Sequence, residues 1–218
     1  MNGLVKRIAW IKANRVHTAL GIIAILSVSI RVFLILFKPP ALTEIDAQRQ
    51  TALVRDTGIS ATTIELARRG DLLQSDDAIY HLLGKNMADG NGVSESRTEP
   101  FSPSRIRTPG YPFLLAIVYT VVGPEFKAVL VVQSLLGGLS CLLVFGIGNR
   151  LGGPRAGLLA AGIVALYPAL IYYDTRLLRE SLIGFLLTFT VWWNLRESAP
   201  KPLSLILTGV CLTWLSMC

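Results

Sequence analysis

Apolar and polar residues follow one another along this chain in long blocks rather than with a short period. The first apolar block, residues 18–37, has a single charged residue, Arg31. A helix of that length crosses the roughly 30 Å hydrocarbon core of a bilayer. Residues 18–37 are therefore predicted to form the first transmembrane helix, because the apolar region of a cleavable signal peptide would be shorter.

Further long apolar blocks fill the second half of the chain. They cover residues 128–148, 156–172, 177–193 and 203–217. The pattern predicts an all-α, polytopic integral membrane protein with about five transmembrane helices, of which helices two to five lie in residues 128–218. Nothing polar follows the last block, so the chain is expected to be the N-terminal part of a longer protein.

Residues 38–127 are predicted to be a long external loop that carries juxtamembrane helices. Residues 62–73 have apolar residues at helical spacing, and a second helical stretch begins at Ser75 and is stopped by a glycine-rich turn after Asp89. The apolar stretch 111–122 is about a dozen residues long and would extend only ~18 Å as a helix. It is predicted to lie beside the membrane rather than to cross it.

Basic residues set the predicted orientation. Those before the first span place residues 1–17 in the cytoplasm by the positive-inside rule. If residues 111–122 do not cross the membrane, the short basic loops at Arg150 and Arg196 are cytoplasmic, as the positive-inside rule expects. If residues 111–122 do cross, both loops face outward and both violate the rule. The long loop is therefore predicted to lie outside the plasma or inner membrane.

Composition and charge narrow the function classes. The 218 residues are 52% hydrophobic and 16% charged, which excludes a disordered chain and a disulfide-stapled secreted miniprotein. The net charge is +7, and the basic residues are dispersed at the ends of the apolar blocks. They form no array with aromatic residues, so no nucleic-acid partner is predicted. The three cysteines lie in apolar runs, where a thiol behaves as a small hydrophobe.

The first candidate for chemistry is the group Asp76, Asp77, Tyr80 and His81. On a helix, Asp76 and Tyr80 share one face and Asp77 and His81 the next, an arrangement that suits sugar binding or proton transfer. The alternative is that Ser75 caps the helix and the two acids only favour its positive N-terminus. A divalent metal on Asp77 and His81 stays open, but the sequence names no further ligands, so no metal site or cofactor is assigned.

Two other groups carry charge close to apolar blocks. Arg107 precedes a stiff proline turn and Tyr111, and its guanidinium suits a phosphate, although an arginine that reaches lipid headgroups is an equal alternative. Asp174 and Glu180 flank the start of a later block, where the alternative is an Arg176–Glu180 pair one turn apart. Arg31, inside the first span, is similarly ambiguous.

Several short motifs occur in an order that resembles the polytopic GT-C glycosyltransferases, the class of the protein O-mannosyltransferases and the lipid A aminoarabinose transferases. The motifs are Asp76-x-x-x-Tyr80 with Met87-x-x-Gly90, Arg107-Thr-Pro109-Gly-Tyr111-Pro112, Gln133-Ser-Leu-Leu-Gly137, Ala165-Leu-Tyr-Pro168 and Leu177-Leu-Arg-Glu180. The resemblance covers about residues 18–198.

This resemblance implies a membrane glycosyltransferase of the cell envelope. It would pass a sugar from a polyprenyl-phosphate donor to a hydroxyl of a lipid, glycan or protein acceptor on the outer face of the membrane. By the resemblance, the expected catalytic residues are Asp76, Asp77 and Glu180, and Arg107 is expected to lie near the lipid phosphate. Tyr80, Tyr111 and Asp174, which belong to the same candidate groups, are also expected to bind substrate. A fragment of a secondary transporter, or a membrane scaffold without chemistry, is the alternative.

Overall fold

The structure, a computed structural model, consists of helices joined by turns and loops wherever it describes the chain. The described residues are 2–37, 75–96, 99–105, 107–196 and 201–218. The helices are α1 (Asn2–Leu36), α2 (Ser75–Ala88), α3 (Gly110–Val122), α4 (Phe126–Leu166), α5 (Pro168–Asp174), α6 (Glu180–Arg196) and α7 (Pro202–Ser216). The all-α prediction is confirmed for these residues, whereas the helix predicted at residues 62–73 lies outside them.

Among the described residues, two helices are long and apolar enough to cross a membrane, judged by length and composition. They are Asn14–Leu36, within α1, and α4. Helices α6 and α7 have 17 and 15 residues, fewer than the roughly 20 that a span needs. Membrane association therefore rests on two helices, and five spans stay a prediction.

Helix α4 reverses direction within its 41 residues. Gly153 has φ 82° and ψ 178°, a backbone conformation that only glycine adopts without strain, and Pro154 follows it. The segments on either side of this turn touch, since a Cβ on Gly148 would lie 2.9 Å from the Cα of Gly157. The two apolar blocks predicted on either side of Arg150 thus form a helical hairpin.

The apolar block predicted at residues 156–172 is not one helix. It breaks at Tyr167, and α5 begins at Pro168. Proline has no backbone N–H to donate into a preceding turn, and its ring disfavours the helical conformation of the residue before it. The hydrophobic pattern alone does not detect this break, because tyrosine and proline leave the block apolar.

The chain divides into two compact units that alternate along the sequence. The first unit comprises Met1–Arg31, Val132–Asp174 and Glu180–Ser216, and the second comprises Val32–Val131, Thr175–Arg179 and Met217–Cys218. The second unit therefore contains α2 and α3, and the first contains most of the long apolar helices.

Helices α2 and α3 pack closely in the second unit. The contact is tightest at Gly84, where a Cβ would lie 2.5 Å from the Cβ of Leu115. Leu83, Leu115 and Tyr119 are buried in this contact region. The sequence ends α2 where predicted, since the helix stops at Ala88 and Gly90 follows with φ 82°.

We expect Gly84→Ala to lower the free energy of unfolding of this unit by up to ~2 kcal/mol. The added methyl overpacks the contact with Leu115 at a cost of about 1–3 kcal/mol, which exceeds the ~1 kcal/mol that alanine gains in helix propensity. The matched control is Gly184→Ala in α6, where nothing lies within 4 Å of the new methyl. Thermal unfolding in detergent measures both variants, and a Gly84→Ala variant as stable as Gly184→Ala would show that the contact is loose.

Candidate functional site

The centre of the candidate site is an ion pair between Asp76 and Arg107. The Nη2 atom of Arg107 donates a hydrogen bond of 2.5 Å to Oδ1 of Asp76. The Asp76 side chain is 49% exposed and that of Arg107 is 23% exposed. The pair therefore joins a carboxylate and a guanidinium that both remain accessible from solvent.

Aromatic rings form one wall of this pair. The guanidinium carbon of Arg107 lies 5.3 Å from the ring centroid of Tyr80, within the range of a cation–π interaction. The ring of Tyr111 meets that of Tyr80 edge to face, with 4.9 Å between the centroids. Desolvation lowers the pKa of Arg107, but the Asp76 carboxylate and then Tyr80 raise it by more, so its pKa lies above the ordinary value.

A turn of the preceding loop holds Arg107 in place. The Oγ atom of Ser104 accepts a hydrogen bond of 3.2 Å from the backbone N–H of Arg107 and donates one of 2.5 Å to Glu95. The loop is tied to α2 by Asn86, whose side-chain amide donates to the carbonyl oxygens of Ser94 and Ser96. The backbone at Arg107 is thus connected to the helix that carries Asp76.

Asp77 occupies a different environment from its neighbour Asp76. Its side chain is only 2% exposed, and Oδ2 lies 3.6 Å from Nη1 of Arg176, whose side chain is 10% exposed. Successive helical residues point about 100° apart, so one acid of α2 faces solvent while the next faces the interior. Asp77 and Arg176 therefore form a buried ion pair.

His81 and Tyr119 join α2 to α3 on the same side as Asp77. Nδ1 of His81 and the hydroxyl of Tyr119 are joined by a hydrogen bond of 2.8 Å. Burial first, and then the charge of Lys85, lower the pKa of His81, while Glu125 acts in the opposite direction. Burial and then Glu125 raise the pKa of Tyr119.

The lowered pKa of His81 predicts that acid weakens the contact between α2 and α3. His81 has a lower pKa in the folded chain than its ordinary value of about 6.5, so the unfolded chain binds the proton first as the pH falls. The stabilisation that comes from neutral His81 is therefore fully present above pH ~6.5. Below this pH, the free energy of unfolding falls by at most ~1.4 kcal/mol per pH unit. Thermal unfolding at pH 7.5 and 5.5 measures this.

The expected result is that His81→Gln reduces the loss of stability between these two pH values. The control is His17→Gln, which changes the chain's other histidine, an exposed residue in α1. An equal pH response in the wild type and in His81→Gln would show that His81 is not the titrating group.

The first unit contains a second buried ion pair, which includes Asp174. Nε of Arg31 donates a hydrogen bond of 2.5 Å to Oδ2 of Asp174. Glu180 begins α6 in the same unit, and its Oε2 atom is buried and makes no hydrogen bond with any described residue. Asp174 is thus already paired, whereas Glu180 has a carboxylate oxygen without a donor.

The predicted site residues thus divide between the two units. Five lie in the second unit, namely Asp76, Asp77, Tyr80, Arg107 and Tyr111, while Asp174 and Glu180 lie in the first. Sequence reasoning missed Arg176 as the partner of Asp77 and considered it only in an alternative pair with Glu180. The signal available in the sequence was helical spacing, which turns Asp77 away from Asp76. Among the described residues, no three His, Cys, Asp or Glu side chains gather as metal ligands would.

These features define, over the described residues, a helical protein with two helices of membrane-spanning character and an exposed acid–arginine pair. Residues 106–217, just over half of the chain, match the model of the family described as dolichyl-phosphate-mannose-protein mannosyltransferase. The chain belongs to this family, which points to a glycosyltransferase of the mannosyltransferase type. No curated protein and no solved structure matches the chain.

Proposed function

We propose that this protein is a membrane glycosyltransferase of the GT-C type that uses a polyprenyl-phosphate sugar as donor. The acceptor is a hydroxyl, and the reaction takes place at the outer face of the membrane. The family description names dolichyl-phosphate mannose as donor and protein as acceptor, which makes mannosyl transfer to a protein hydroxyl the first reaction to test. The observation that carries the proposal is the accessible pair of Asp76 and Arg107 beside Tyr80.

The two charges of this pair match the two electrostatic tasks of sugar transfer. The acceptor oxygen attacks the anomeric carbon while the bond from that carbon to the phosphate oxygen breaks. The electron pair of the broken bond goes to the phosphate, where Arg107 stabilises the charge, and the hydroxyl proton goes to Asp76. Arginine suits this role because its planar fork binds phosphate oxygens with two charge-assisted hydrogen bonds.

Burial favours Asp76 over Asp77 as the base. A base must come within hydrogen-bond distance of the acceptor hydroxyl, and the half-exposed side chain of Asp76 allows this. Asp77 is buried against Arg176, and its removal from that pair would leave a buried arginine without its partner charge. We assign Asp77 to holding the first turn of α2.

Tyr80 and Tyr111 support Arg107 in this proposal. Both side chains are buried, so their part in donor binding is indirect: the Tyr80 ring packs against the Arg107 guanidinium, and Tyr111 packs edge to face on Tyr80. Glu180 accepts a hydrogen bond from a hydroxyl of the sugar or acceptor, since a buried carboxylate oxygen normally has a donor.

A reconstitution experiment tests the proposed reaction. The full chain is purified in detergent, placed in lipid nanodiscs and given dolichyl-phosphate mannose labelled in the sugar, with a serine- and threonine-containing peptide. Transfer of label to the peptide, abolished when the peptide hydroxyls are removed, is the expected result. Label that stays on the lipid, in protein that binds dolichyl phosphate normally, would contradict the proposed reaction.

The orientation has a test of its own. Single cysteines are introduced at Asp89, which is exposed beyond α2, and at Arg150, which is exposed near the turn of α4, in a background without the native cysteines. An impermeant thiol reagent added to intact cells should label position 89 and spare position 150. The opposite pattern would invert the arrangement and place the candidate site in the cytoplasm.

A further inference from the structure

Arg31 has all of its charge enclosed within the first unit. It is completely buried, although it lies inside a helix segment that is long and apolar enough to cross a membrane. Its Nε atom donates to Asp174, and Nη1 donates to the carbonyl oxygen and the hydroxyl of Ser27 at 2.9 and 2.5 Å. Nη1 also donates a hydrogen bond of 3.3 Å to the carbonyl oxygen of Ala165.

Helix α4 packs directly against the ion pair of Arg31 and Asp174. A Cβ on Gly137 would overlap Oδ2 of Asp174 and lie 2.8 Å from Nε of Arg31. Nearby, the Sγ atom of Cys141 lies 3.4 Å from the hydroxyl of Ser27, and the side-chain amide of Gln133 donates to the carbonyl oxygen of Tyr173. The Asp174 carboxylate is therefore enclosed by α1 and α4 and already paired with the guanidinium of Arg31.

Two arguments speak against a role of Asp174 in binding the substrate. A lone charge inside an apolar layer is strongly unfavourable, so Arg31 requires a carboxylate at this position. The Asp174 side chain is only 7% exposed, so a sugar hydroxyl could reach the carboxylate only if the packing around the ion pair opened. Binding of a neutral sugar does not compensate for exposing or separating this pair.

We infer that Asp174 is the counter-ion of Arg31 and a positioning residue, and that it is not a ligand of the substrate. The pair ties the last residue of α5 to α1 within the first unit. Six residues further along the chain, Glu180 begins α6, so the ion pair fixes one end of the short segment that leads to Glu180. This last step rests on the proposed function, in which Glu180 contacts sugar or acceptor, whereas the assignment of the counter-ion does not.

A double-mutant cycle tests the assignment by stability. Asp174→Asn in the full chain leaves Arg31 without a counter-ion and should lower the unfolding midpoint in detergent by about 6–15 °C. Arg31→Gln together with Asp174→Asn removes both charges and should recover at least half of that loss. If the single variant gives no folded protein, a monodisperse peak of the double variant in size-exclusion chromatography is the same recovery. A double variant that is no more stable than Asp174→Asn would overturn the inference.

Transfer of label from dolichyl-phosphate mannose separates positioning from ligand binding. If Asp174 only positions the chain, the folded double variant should regain most of the turnover that Asp174→Asn loses, with an unchanged KM for donor and for acceptor. A folded double variant that stays as inactive as Asp174→Asn would show that substrate needs the carboxylate itself, and the inference would be wrong. If the wild type transfers no sugar, the proposed function fails and the unfolding midpoints alone decide the role of the pair.

Discussion

Asp76→Asn is expected to reduce the turnover of sugar transfer by roughly 10²–10⁴-fold, the contribution typical of a general base. Asparagine preserves the size of the side chain and can still accept a hydrogen bond from Arg107, but it cannot take the proton of the acceptor hydroxyl. Initial rates with labelled dolichyl-phosphate mannose, measured at saturating donor and expressed per folded enzyme, would show the loss.

The affinity of Asp76→Asn for the donor should not fall together with its turnover. Because Arg107 is bound to Asp76 at 2.5 Å, the donor phosphate must compete with this carboxylate for the guanidinium. Removing the carboxylate charge removes the competitor, so Asp76→Asn should bind dolichyl phosphate at least as tightly as the wild type. A lower turnover combined with an equal or smaller Kd distinguishes a missing base from a damaged binding site.

Two other acids of the same region provide controls for Asp76. Asp89→Asn makes the same chemical change in an exposed residue that pairs with Lys85 at 2.8 Å, and it should leave turnover unchanged. Asp77→Asn breaks a buried pair and should reduce the yield of folded protein more than the rate of the folded fraction. Normal turnover of Asp76→Asn beside an inactive, folded Asp77→Asn would move the base by one residue.

The sequence predicts the local structure around the site better than the contacts within it. Turn residues end α2 at Ala88, and the apolar stretch 111–122 appears as α3, because both follow from spacing within one segment. The turn at Gly153 lies where a short basic loop was predicted between two apolar blocks, whereas the break before Pro168 was not predicted. The number of spans cannot be read from apolar blocks, since blocks of 15–17 residues in α6 and α7 are shorter than a bilayer requires.

Pairings between distant residues lie beyond what spacing can predict. Asp76 and Arg107 were each assigned a role, but their direct ion pair depends on contacts such as the hydrogen bonds of Ser104 to Arg107 and to Glu95, and it joins residues that are distant along the chain. Asp174 pairs with a residue 143 positions earlier, and neither periodicity nor charge pattern within one helix contains that information. The chemical identity of the candidate residues was therefore accessible from sequence, while their partners required the fold.

Arg107→Ala is expected to damage both donor binding and the transfer step. Loss of a charge-assisted hydrogen bond to the phosphate, worth about 1.5–3 kcal/mol, should weaken dolichyl-phosphate binding by roughly 10–100-fold. Turnover at saturating donor should also fall by about 10²–10³-fold, because the departing phosphate gains charge in the transition state and loses the group that stabilises it. Equilibrium binding and initial rates, measured on the same preparation, separate the two effects.

The neighbouring arginine and a conservative replacement make this test specific. Arg105→Ala removes the same charge from an exposed residue two positions earlier, so it reports what a general loss of positive charge does to binding of an anionic lipid. Arg107→Lys keeps the charge but loses the planar fork, and its donor affinity should fall between those of the wild type and Arg107→Ala. If Arg105→Ala and Arg107→Ala weaken donor binding equally, and turnover at saturating donor is unchanged in both, Arg107 only attracts the lipid headgroup and the phosphate of the reaction is bound elsewhere.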